Sequence, residues 1–131
     1  MIESVITEAR RRGLPPIAVA VLDAGAHLKA LQREDGVSFL RADIAQAKAW
    51  GALAMATDSS NIAERYGQGA IQQGFIDGLN AMTGGRIVPL PGGVLIVDDG
   101  QVIGAVGAAG GPSEDDEACV RSALIESGFS A

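Results

Sequence analysis

At 131 residues the chain is long enough to bury one sheet face beneath helices and too short for two hydrophobic cores, which predicts a single domain over residues 1–131. Hydrophobic residues make up 47% of it, and 18 glycines with few aromatics describe a core of small side chains rather than a disordered chain. A formal charge of −6 argues against nucleic acid and anionic membrane surfaces as partners, the lone Cys119 excludes an internal disulfide, and no apolar run reaches the roughly 18 residues of a membrane span.

Residues 1–12 place Ile2, Val5, Ile6 and Ala9 at helical spacing, and Gly13 with Pro15 and Pro16 ends that helix. Its Glu3 and Glu8 are foreign to a secretory leader, so a cytoplasmic protein is expected. Residues 17–22 are a short apolar run without clean alternation, the pattern of a central strand. Asp23, Ala24, Gly25 and Ala26 supply a turn, with Gly25 the residue free to take a positive φ, and residues 27–33 resume as the second strand of a hairpin. Residues 40–56 have the length and alanine content of a helix, with Ser38 as its cap. From 57 to 85 the glycines at 67, 69, 74 and 78 interrupt the apolar positions, which predicts short helices joined by turns.

Residues 86–90, 94–97 and 102–106 then read as three strands of a meander, turned by Pro91-Gly92-Gly93 and by Asp98-Asp99-Gly100. Residues 107–112 form a loop, and Ser113 caps a last helix running to about residue 127. Tight hairpins pair strands antiparallel and leave the helices to cover the sheet, so the expected class is α+β with about five strands.

Three stretches carry a family likeness: residues 21–28 (VLDAGAHL) with Arg33-Glu34-Asp35-Gly36, then Ala45-Gln46-Ala47-Lys48-Ala49, then residues 89–119 with Pro91-Gly92-Gly93-Val94 and Asp116-Glu117-Ala118-Cys119. The chain resembles the GlcG/HbpS-like family, also described as DUF336 and similar to the C-terminal domain of PduO proteins. That resemblance implies a profilin-like, five-stranded antiparallel sheet flanked by helices on both faces and a homo-oligomer, often an octamer. It also implies haem binding or degradation, metal binding, or a place in small-molecule catabolism. Two positions depart from the family pattern: Ala26, where Gly is usual, and Ala109, where Ser is common.

His27 is the only histidine, and beside a glycine turn its imidazole can ligate haem iron or move a proton; the alternative is an exposed hairpin residue. Asp23, four residues earlier, can orient that ring or simply close the turn through its own backbone. Arg33 and Lys48 are the candidate cations for an anionic ligand or a haem propionate, against structural ion pairs with Asp35 or Asp116. Gly107, Gly110 and Gly111, ahead of a helix whose first turn includes Asp116, can offer backbone N–H groups to an anion, but the acidic run 114–117 favours capping over anion binding. Glu114 and Glu117 have the Glu-x-x-Glu spacing of a weak divalent-metal pair, whereas Cys119 lacks a local activating base and reads as a small buried hydrophobe.

Three readings of function follow. On the resemblance, this is a small-ligand binder that takes haem or a related tetrapyrrole, the iron ligated by His27 or by a residue of a neighbouring subunit and a propionate held by Arg33 or Lys48. On the residues, it is a catabolic enzyme or accessory protein acting on a small carboxylic acid or carbonyl compound, with His27 and Asp23 as acid and base. The glycines and small-residue sheet equally suit a structural oligomer without chemistry. Any site is expected where the hairpin meets the 107–116 loop and Lys48, near a subunit boundary.

Overall fold

α1 (Ile2–Arg11) turns Val5 and Ala9 fully into the core and carries Arg10 and Arg11 in its last turn, where cations complement the helix dipole. In the computed structural model, which describes residues 1–129, a hairpin of β1 (Ala18–Asp23) and β2 (Leu28–Arg33) follows. Next come α2 (Phe39–Met55), α3 (Ser59–Tyr66) and α4 (Ala70–Met82), then β3 (Gly93–Asp98), β4 (Gln101–Ala109) and α5 (Ser113–Glu126). The strands form one antiparallel sheet in the order β2-β1-β4-β3. β1 therefore lies inside the sheet, as its unbroken apolar run requires, while β2 is an edge strand with all six residues exposed.

The two faces are covered differently. Ile17, Val19, Val94, Ile96 and Val106 pack under α1 and α5 against Val5, Val120 and Leu124, a core of ordinary branched side chains. On the other face Ala18, Ala20 and Ala109 meet Ala42 and Ala45 of α2, and Leu22 and Ala105 meet Ala49. Alanine against alanine brings α2 almost onto the sheet backbone. A Cβ at Gly107 would collide with the Ala45 carbonyl oxygen, and one at Gly93 with that of Lys48. Gly107 is thus required by packing, inside β4 rather than in a loop.

The expected fold is met with four strands instead of five. Residues 86–90 do not pair with the sheet: the Ile87 N–H donates to Asn80 Oδ1 at 2.7 Å and the Leu90 N–H to the Val88 carbonyl at 2.9 Å. Pro89 and Pro91 have no N–H for a ladder, and Ile87 is instead buried with Ile62 and Ile76 beneath α3 and α4. In the first hairpin it is Ala26, at φ 65°, that takes the left-handed conformation, and Gly25 does not. Ser38 does cap α2, its hydroxyl accepting from the Leu40 N–H at 3.4 Å, but Pro112 rather than Ser113 occupies the cap of α5.

Candidate functional site

The β1–β2 turn is organised by one carboxylate. Asp23 Oδ1 accepts the backbone N–H groups of Gly25 and His27, both at 2.9 Å, closing the turn as a short polar side chain does when it stands in for a backbone carbonyl. Those bonds, His27's first, hold the Asp23 carboxyl below the ordinary range. The same oxygen lies 3.2 Å from His27 Nδ1. Of the two roles the sequence left open for Asp23, turn closure is made by these two hydrogen bonds, and the same oxygen also faces the ring. With Nδ1 facing the carboxylate and the side chain 81% exposed, Nε2 is left open to solvent.

Lys48 and Asp116 form a second centre. The Lys48 ammonium, 1% exposed, donates to the Ala108 carbonyl at 2.9 Å and stands 3.5 Å from Asp116 Oδ2. Asp116 Oδ1 accepts the Gly111 N–H at 3.1 Å, so the loop donor expected for an anion is taken by the chain's own carboxylate. Burial pulls the Lys48 amine down and pushes the Asp116 carboxyl up, each partly offset by the other's charge. Gly110, at φ 145°, lies so close to Pro16 that a Cβ would strike its carbonyl.

These centres do not meet. The β1–β4 register runs from Ala18 opposite Ala109 to Asp23 opposite Gly104, which separates the Lys48 end of the sheet from the His27 end by about 17 Å of strand. Arg33, at the far end of β2 from His27, is exposed and makes no ion pair among the described residues. Glu117 accepts from Arg121 and from Ser60, and Arg121 also binds Asp58 at 2.7 Å, a network that ties α5 to the start of α3. Glu114 is exposed, and among the described residues no group of three or more His, Cys, Asp or Glu is placed to hold a metal ion. Cys119 is buried, its thiol pushed up by that burial.

One feature escaped the sequence reading. A cleft of about 350 Å³ opens between the hairpin and α2, with Leu22, Ala26 and Leu28 on one side, Asp43, Gln46 and Trp50 on the other, and Arg86 at its end. The Arg86 guanidinium carbon lies over the Trp50 ring, 5.4 Å from its centroid. The two residues are remote in sequence, and only the course of α3 and α4 brings them together. At the same end of the sheet, residues 101–103 of β4 run past the last β1 pair and leave Val102 and Ile103 exposed at 42% and 44%.

The model of the family described as haem degrading protein HbpS-like matches residues 1–125. An uncharacterised 15.0 kDa protein of the Citrobacter freundii dhaT–dhaS intergenic region is 32% identical over 109 residues, 83% of this chain and 74% of that protein. Protein GlcG of Escherichia coli K12 is 36% identical over 93 residues, 71% of this chain and 63% of GlcG, so the matched part is less than two thirds of that relative's length. The crystal structure of a PduOC–haem complex superposes with a TM-score of 0.85 at 24% identity, covering 97% of this chain and 88% of that one, which shows a common fold.

Proposed function

This chain belongs to the HbpS-like family, and we propose that it binds haem through His27, as a homo-oligomer in the cytoplasm. The observation that carries the reading is the Asp23–His27 pair. A carboxylate facing Nδ1 leaves Nε2 as the open nitrogen, an arrangement in which protein imidazoles commonly serve as metal ligands. The likeness to a PduOC–haem complex supports the same ligand class. Haem, when bound, would supply an iron able to accept an imidazole nitrogen and to exchange electrons.

The donor set suits such a group. His27 offers one open nitrogen, and the exposed Leu28, Val102 and Ile103 at that end of the sheet offer apolar surface for a porphyrin face. A ring held at an open turn is covered on one side only, so a second copy is the natural cover for the other. Lys48 is enclosed and paired and Arg33 lies at the opposite end of β2, so neither serves His27's ligand from within the same chain.

Titration with haemin tests the proposal. The wild type should give a saturable Soret shift at micromolar haemin and a larger assembly by light scattering, and His27→Ala should lose the shift. Equal shifts in both proteins would overturn the assignment.

A further inference from the structure

We propose that the cleft between the hairpin and α2 binds the carboxylate of a small apolar monocarboxylate, with Arg86 as its anion receptor and Trp50 as its wall. The inference is independent of haem ligation by His27. Among the described residues Arg86 makes no ion pair or hydrogen bond to a side chain, whereas Arg10, Arg11, Arg12, Lys48 and Arg121 are all committed to carboxylates. Among the described residues Lys29, Arg33 and Arg41 are also unpaired but do not line this cleft, and Arg65 is held by Gln72 and the Phe75 ring. Arg86 joins an uncommitted guanidinium to an open cleft whose apolar part is Leu22, Leu28 and Trp50.

The Trp50 contact matters because it places the guanidinium beside the cleft wall. The planar fork of an arginine with no carboxylate partner can donate two parallel N–H bonds to a ligand carboxylate. Leu22, Leu28 and the indole then receive the apolar body, and the cleft volume of about 350 Å³ lies at the small end of ligand pockets, which suits a compact acid rather than a long chain. Selectivity comes from the opposite wall. Gln46 spends its Nε2 on the Ala42 carbonyl at 3.2 Å, leaving Oε1 as an acceptor beside the Asp43 carboxylate. That wall receives a hydroxyl and repels a second negative charge, which makes the ligand class a monocarboxylate or hydroxy acid.

Trp50 is the only tryptophan and lines this cleft, so its emission carries a single reporter at the site. The probe is 4-methylpentanoate, compared with 4-methylpentanamide as a neutral analogue and 3-methylglutarate as a diacid. The expected result is a saturable change in Trp50 emission with the monoacid, weakened about 10- to 100-fold in Arg86→Gln and partly kept in Arg86→Lys. The amide and the diacid should bind at least about tenfold more weakly than the monoacid. No saturable change with the monoacid, equal binding of amide and acid, or unchanged binding in Arg86→Gln overturns the proposal, and equal binding of the diacid overturns its selectivity. A carboxylate can also come from a porphyrin propionate. Haemin added first separates the sources: competition with the monoacid places a propionate in the cleft, additivity a free acid, and each result supports a carboxylate site.

Discussion

Lys48 Nζ and Asp116 Oδ2 face each other at 3.5 Å with side chains 1% and 0% exposed, while the same ammonium holds the Ala108 carbonyl. The pair pins α2, the end of β4 and α5 to one another. Removing one partner strands the other in a site built for two charges. Lys48→Met and Asp116→Asn should each cost about 3–5 kcal/mol in urea unfolding, and the double variant should cost clearly less than their sum. Additive losses would mean that the charges do not interact.

The same pair predicts a pH dependence. The Asp116 carboxyl already titrates above its unfolded value because it is buried, and Lys48→Met removes the cation that restrains this rise. Over the window between the unfolded carboxylate value of about 3.9 and the raised folded one, the native state binds more protons than the unfolded chain. Stability is then fully present below that window and lost as pH rises through it. Lys48→Met should lie nearest the wild type at about pH 4 and fall progressively below it towards neutrality. Parallel stability curves would contradict this.

Ala26 occupies the left-handed region at φ 65°, where a Cβ costs about 1–2 kcal/mol. Ala26→Gly should therefore stabilise the protein by about 0.5–1 kcal/mol once the freer unfolded chain is counted. A loss of stability on thermal unfolding would show that the Ala26 methyl, which lines the cleft, earns more by packing than it costs in strain.

Gly107 stands directly under the Ala45 carbonyl of α2. Gly107→Ala should cost about 3 kcal/mol or more, because backbone rather than a flexible side chain must move. Gly100→Ala is the contrast: its φ is positive, unlike that of Gly107, but nothing lies within 4 Å of the added Cβ, so only local strain is incurred. Similar losses at the two sites would remove the close-approach argument.

Asp23→Asn keeps a turn-closing oxygen and removes the charge facing His27 Nδ1. Haemin affinity should fall about 10- to 100-fold with little change in melting temperature, as for the loss of an outer-shell partner of a metal-bound imidazole. A melting temperature that drops while affinity holds would assign Asp23 to the turn alone.

Much of this architecture was legible because its signals are local. The Asp23 turn, the Ser38 cap and the Asp98-Asp99-Gly100 turn each act within a few residues, so composition and spacing located β1, β2, α2 and the last hairpin. Residues 86–90 misled because Ile87 and Val88 have strand propensity, while the neighbouring prolines and the Asn80 side chain decide against pairing. The Asp23–His27 pair was visible as two residues across one turn. The Arg86–Trp50 cleft was not, since its walls come from three separate segments whose meeting depends on tertiary packing. The expected convergence of His27 with Lys48 failed for a geometric reason: both adjoin the same strand, but at opposite ends of it.

The central claim is that His27 ligates haem iron, and the chain's single histidine makes a direct test possible. Resonance Raman spectroscopy of the ferrous haem complex reads the iron–histidine stretching band. The account predicts that band in the wild type and its loss in His27→Ala; its absence from the wild type, or its persistence in the variant, would contradict it.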